Sequence, residues 1–159
     1  MNTCYVLTIL SFLLLLLTAL QGYFSFLIFN ANHPTFALLT VIVYLFTETL
    51  IIFFFVGIGV SIKEYIQAHK ANPDFHKRSL AIKRRVYPPL LLNIVLIMTL
   101  FITGGAVDTG HMPGWLHGTL FCISILHFLK AITVQHHSFR ESTAIVLEMA
   151  GVQRPEGIF

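Results

Sequence analysis

Four long stretches of mostly apolar residues alternate with shorter polar segments along the chain, at about 4–29, 36–62, 87–107 and 115–135. A helix crosses a hydrocarbon core of roughly 30 Å with about 20 residues, because each residue adds about 1.5 Å. Such a helix also satisfies its own backbone hydrogen bonds, which lipid cannot do. The pattern predicts an all-α integral membrane protein whose four transmembrane helices form one bundle and one domain over residues 1–159.

The composition agrees with a chain whose surface is mostly in lipid. Of its 159 residues, 56% are hydrophobic and 11% are charged, and the mean hydropathy is +0.80. A soluble domain usually carries roughly 25% charged residues. The two cysteines, Cys4 and Cys122, lie far apart in apolar stretches and form no CxxC or zinc spacing. We therefore expect no structural disulfide.

The basic residues concentrate between the second and third stretches, in a predicted loop over 63–86. Seven basic residues there face only two acidic ones, Glu64 and Asp74. The short loops NANHPT and DTGHMPG contain no Lys or Arg. By the positive-inside rule, the basic loop and both termini are cytoplasmic, which predicts a multi-pass protein of the inner (cytoplasmic) membrane. The tail, 136–159, resembles a short amphipathic helix that ends near Gly151 and lies on the membrane or on a partner.

Glu48 is the residue with the strongest functional signal. It lies about 12 residues into the second stretch, or roughly 18 Å deep, near the middle of the bilayer. His127 lies at a similar depth in the fourth stretch, so the two side chains are candidates for a contact. An acid at this depth usually faces the bundle interior, and its functional interpretations are a proton relay, an ion site or a polar contact that holds a cofactor. The alternative is a structural one, in which a protonated Glu48 bonds His127 or Tyr44 and holds helices together.

The histidines suggest a haem b site, because imidazole ligates haem axially in helical bundles. Two axial ligands must approach one iron from opposite faces, and the first and third stretches contain no histidine. Within the chain, His33 and His117 near the outer surface are the best pair. His127 paired with a histidine of another subunit is equally compatible with the sequence.

A second candidate site is the outer loop DTGHMPG with the start of the fourth stretch. It gathers Asp108, His111, Met112 and His117 within ten residues. Imidazole suits copper and zinc, and a thioether favours Cu(I), so these residues are candidate metal ligands. The alternative is a plain tight turn, since Gly110 and the neighbouring Pro and Gly break helices.

The basic loop is a candidate surface for docking a protein or binding anionic lipid. A basic residue near a membrane surface contributes about 1 kcal/mol of attraction to anionic lipid. No aromatic residues alternate with the basic ones as in nucleic-acid binding, so we expect no nucleic-acid partner. The residues concerned are Lys77, Arg78, Lys83, Arg84 and Arg85.

Three functions remain open at this stage. The first is an anchor or accessory subunit, without catalytic activity of its own, in a larger respiratory or electron-transfer complex, where it contributes histidine to a haem or quinone site. The second is an oligomeric proton- or ion-coupled small transporter that uses Glu48. The third is a copper or zinc site on the outer loop. In all three, the expected partners are the lipid bilayer and either other protein subunits or further copies of this chain.

Overall fold

The computed structural model describes residues 1–151. Its elements are four helices: α1 (Asn2–Phe24), α2 (His33–His69), α3 (Asp74–Asp108) and α4 (Gly114–Met149). Each is long and apolar enough to cross a membrane. The predicted all-α bundle of four membrane-spanning helices is confirmed.

The first helix ends earlier than the apolar pattern suggests. It stops at Phe24, where Ser25 takes a left-handed conformation and its N–H bonds Gln21 O at 2.8 Å. The amide of Gln21 donates to Ala31 O at 2.8 Å and so fastens the following turn to α1. Asn32 then caps α2 by accepting a first-turn N–H with its side chain. Residues 25–29, which the apolar pattern assigns to the first span, therefore belong to the turn between α1 and α2.

The predicted basic loop is mostly helical. Helices α2 and α3 run through it and leave only a turn at 70–73, where Lys70 adopts a left-handed conformation. Lys, Arg, Glu, Gln and Ala are strong helix formers, which explains this extension. Pro88 and Pro89 lie inside α3 and do not begin it. The carbonyls that lose an N–H partner belong to Arg84 and Arg85, four residues earlier, and both residues are exposed.

The segment predicted as a separate amphipathic helix continues α4 up to Met149. It contacts the ends of α2 and α3: the Tyr65 hydroxyl on α2 donates to Met149 O at 2.9 Å, and Arg78 on α3 pairs with Glu148. Residues 152–159 of this predicted tail lie outside the described part of the chain.

Consecutive helices pack side by side, α1 on α2, α2 on α3 and α3 on α4. Thr143 contacts Met1 at 3.7 Å, so α1 begins at the level of Thr143, and the other three helices extend beyond it. We call this end, with residues 63–85 and 141–151, the basic end. The opposite end, with residues 22–33 and 103–117, is the histidine end.

The core contains two apolar clusters, one nearer each end. The cluster toward the basic end includes Phe55 and Phe139, whose rings stack with centroids 5.0 Å apart. The cluster toward the histidine end includes Tyr44 and Phe128, with ring centroids 5.3 Å apart. A layer of buried polar side chains lies between them, and it contains Glu48.

Candidate functional site

Three helices contribute one polar side chain each to the layer between the apolar clusters. Glu48 on α2 and Asn93 on α3 are each 1% exposed, and Gln135 on α4 is 3% exposed. Glu48 lies about 15 residues into α2, or about 22 Å from its start at about 1.5 Å per residue. A carboxyl group is therefore held deep in the bundle, away from both ends.

Each oxygen of the Glu48 carboxyl faces an amide donor. Asn93 Nδ2 lies 3.4 Å from Oε1, and Gln135 Nε2 lies 3.4 Å from Oε2. An ionised carboxyl accepts at both oxygens, so this arrangement suits a carboxylate. Within residues 1–151, no Lys or Arg forms an ion pair with Glu48. A negative charge here would be solvated by neutral dipoles alone.

His127 joins the layer through Asn93. Its Nδ1 lies 2.5 Å from Asn93 Oδ1. Because an amide oxygen only accepts, Nδ1 carries the proton and Nε2 is free to take a second one. His127 is half-buried. The structure thus brings Glu48 and His127 into one network, with Asn93 standing between them.

Tyr44 lies one helical turn before Glu48 and is fully buried. Its hydroxyl makes no hydrogen bond of good geometry among the described residues, but it lies close enough to the Glu48 carboxyl to interact with it as a hydrogen-bond donor. The layer therefore holds an O–H donor beside the acid.

Further buried hydroxyls continue from the layer toward both ends. Toward the basic end, α4 buries Ser138 and Ser142, and the Ser138 hydroxyl finds no partner in the described part of the chain. Toward the histidine end, Thr18 and Thr40 bond each other at 2.7 Å between α1 and α2. Polar groups thus extend along the core on both sides of Glu48.

The histidine end brings His33 and His117 together, with ring centroids 6.5 Å apart. His111 does not join them, since its Nδ1 bonds Thr109 Oγ1 within its own turn at 3.0 Å. Asp108 is exposed on the same turn, and Met112 is partly exposed there. No group of three or more His, Cys, Asp or Glu side chains able to hold a metal occurs within 1–151. The candidate ligands of the outer loop are not gathered here.

At the basic end, two of the candidate docking residues are paired across helices. Arg78 binds Glu148 at 2.7 Å and Arg85 binds Glu141 at 2.6 Å, all four at the surface. Lys83 is partly buried against Gly59. The exposed remainder of the candidate set is Lys77 and Arg84.

Asn93 is the residue of this network that sequence reasoning missed. It is the central connection of the network, yet it carries no charge and stands in an otherwise apolar stretch. The sequence feature that could have identified Asn93 is that it is the single side-chain amide between Tyr87 and Val107. No family model, curated protein or solved structure matches this chain.

Proposed function

We propose that this protein transfers protons within the membrane, as a proton- or ion-coupled small transporter, with Glu48 as the proton carrier and His127 as its exchange partner. The observation that carries the proposal is the Glu48 carboxyl, buried between three helices with a neutral donor at each oxygen. A charge at this depth costs a few kcal/mol on insertion scales. Protonation of Glu48 removes that cost, so the side chain can alternate between a charged and a neutral state.

The same contacts argue against a purely structural role for the network. Both bonds to Glu48 are long, at 3.4 Å, and hydrogen bonds between membrane helices contribute on average only about 0.6 kcal/mol. The Tyr44 hydroxyl, beside the acid, makes no hydrogen bond of good geometry within residues 1–151. The bonds to Glu48 are therefore weaker contacts between helices than the Asn93–His127 bond of the same network, as expected for a group that changes its protonation state.

Each residue has a separate role in this proposal. Glu48 binds and releases the proton, and His127 exchanges it through the free Nε2, because Nδ1 is engaged by Asn93. The Asn93 amide positions both groups without being protonated itself. Transfer therefore requires a direct approach of Glu48 to His127 or a water molecule between them.

The test is proton flux into liposomes that contain the purified full-length protein and an internal pH dye. The Glu48→Gln variant keeps the side-chain size but cannot be ionised, so flux should fall to the level of protein-free liposomes. The matched control is Thr49→Val, an exposed neighbour on the same helix, which should keep the wild-type rate. Wild-type flux in Glu48→Gln, or no protein-dependent flux in the wild type, would overturn the proposal.

A second candidate function is an accessory subunit of a larger membrane assembly. It is supported by Lys130, which is exposed on α4, about 16 residues or about 24 Å from the helix start. A charge that faces lipid at this depth is costly, so Lys130 needs either a partner protein or a bent side chain that reaches the membrane surface. Lys77 and Arg84 also form no ion pair among the described residues, so they are available to an acidic partner or to anionic lipid.

This candidate also includes an orientation. By the positive-inside rule, the basic end and both termini would face the cytoplasm. Purification in gentle detergent from the native membrane should recover a partner chain, and Lys130→Leu should weaken that association. Thr133→Val, one turn further along the exposed face of α4, is the control. Recovery of the protein alone would exclude a stable assembly.

A further inference from the structure

His33 and His117 come from different helices and meet inside the histidine end. His33 is the first residue of α2, and His117 lies in the first turn of α4. Their ring centroids are 6.5 Å apart, and their planes are at 82°. Two imidazoles on opposite sides of one metal ion, each about 2.0–2.1 Å from it, have ring centres roughly 6 Å apart. The separation of the two rings is compatible with two ligands on one metal ion.

The hydrogen bond of His33 fixes which ring nitrogen carries its proton. His33 Nδ1 lies 3.1 Å from Thr18 O. A backbone carbonyl only accepts, so Nδ1 is the protonated nitrogen. Nε2 of the neutral ring therefore keeps its lone pair, which is the form that binds a metal.

His117 is held in the same form by a chain of two bonds. Thr103 Oγ1 donates to Leu100 O at 2.9 Å, which uses the single hydroxyl proton of Thr103. His117 Nδ1, 3.2 Å from the same Oγ1, must then be the donor. Nε2 of His117 also keeps its lone pair. Imidazoles that ligate metals usually donate their other N–H to a carbonyl or similar acceptor in this way.

Each of the two rings lies against a glycine. A Cβ at Gly22 would be 2.9 Å from Cε1 of His33, and a Cβ at Gly104 would be 3.2 Å from Cε1 of His117. By contrast, a Cβ at Gly105 would meet nothing within 4 Å. Glycine at these two positions lets the rings sit close to the helix backbones of α1 and α3.

From this geometry we infer that His33 and His117 bind one transition metal ion through their Nε2 atoms. Two neutral imidazoles would suit copper, here as Cu(I), and two imidazoles are also a ligand set that would hold the iron of a b-type haem. Zinc fits less well, since it takes four ligands in structural sites, and a third His, Cys, Asp or Glu ligand is absent from the group within 1–151. The inference is independent of the proton-transfer proposal, because Glu48 belongs to a different layer.

The test uses purified full-length protein in detergent, titrated with haem and, separately, with Cu(I) against a competing chelator. We expect each chain to bind one equivalent of either haem or Cu(I). A Soret band that changes on reduction identifies haem, and stoichiometric copper without that band identifies Cu(I). His33→Ala and His117→Ala should each weaken binding at least tenfold, whereas His111→Ala, at the same end, should leave it unchanged.

Two further variants keep the test informative where an alanine variant does not fold. Thr103→Val removes the acceptor of the His117 N–H, so binding should weaken about 10-fold to 100-fold. His117→Met replaces one imidazole with a thioether and should shift the visible spectrum of bound haem, or alter the copper affinity. Failure of the wild type to bind either probe, or binding that survives loss of both histidines, would overturn the inference.

Discussion

Asn93 on α3 accepts a hydrogen bond from His127 on α4, with 2.5 Å between Oδ1 and Nδ1. The nitrogen of the same amide faces Glu48 on α2 at 3.4 Å. One uncharged side chain thus links three helices and sets the orientation of both titratable groups. Its removal should separate the acid from the histidine without changing the charge of either.

We predict that Asn93→Leu reduces proton flux in liposomes at least tenfold. The His127 N–H loses its acceptor, and Glu48 loses one of its two amide donors. A buried polar group left without a partner costs about 1–3 kcal/mol, so the thermal unfolding midpoint in detergent should also fall.

The control for this variant is Thr99→Val on the exposed face of the same helix. The Thr99 hydroxyl bonds only Val95 O within α3, so both flux and unfolding midpoint should stay at the wild-type values. Equal flux in Asn93→Leu and wild type would show that the amide does not position the two groups.

A comparison of two glycines tests the packing of the histidine end. A Cβ at Gly22 would lie 2.9 Å from the His33 ring, whereas one at Gly57 would meet no atom within 4 Å. Gly22→Ala must therefore displace the ring, and its free energy of unfolding should be lower than that of Gly57→Ala by about 1–3 kcal/mol. Gly57→Ala should be neutral or stabilise α2 by up to about 1 kcal/mol, since alanine favours the helix. Thermal unfolding of both variants in one detergent gives the comparison, and equal midpoints would contradict it.

The number and approximate positions of the spans follow from the sequence, because the thickness of the hydrocarbon core fixes the length of an apolar stretch. The helix ends cannot be predicted in the same way, because the helices continue beyond the apolar stretches into polar sequence. The residues around Lys63 and Lys83 favour helix as strongly as the spans do, and the turn at 70–73 depends on one left-handed residue, Lys70.

The depth of Glu48 and His127 could also be read from the sequence, whereas the link through Asn93 could not. Glu48 and Asn93 lie at similar distances along the chain from the turn at 70–73, one before it on α2 and one after it on α3. Antiparallel helices joined by a short turn bring such positions to the same level. The prediction of a long loop over 63–86 hid this register, because the chain path between the spans was unknown.

The aromatic cluster toward the basic end should be the main stabilising contact between α2 and α4. Phe139 is buried at 1% exposure and has its centroid 5.0 Å from those of Phe54 and Phe55. We predict that Phe139→Ala lowers the free energy of unfolding by about 3–5 kcal/mol, because a cavity replaces the ring. Phe53, 65% exposed on the outer side of α2, gives the matched control. Similar losses in Phe139→Ala and Phe53→Ala would rule out this cluster as the main contact.

The ion pairs at the basic end should contribute little despite their short distances. Arg85 and Glu141 approach to 2.6 Å, but their side chains are 47% and 49% exposed. Water and salt screen such a pair, and holding two long side chains costs entropy, so its coupling energy should be about 0.2–1 kcal/mol. A double-mutant cycle with Arg85→Gln and Glu141→Gln, measured by unfolding in low and high salt, gives this value. A coupling energy well above that range that resists salt would mean that the pair is shielded from water, for example by a docked partner or by lipid headgroups at this end.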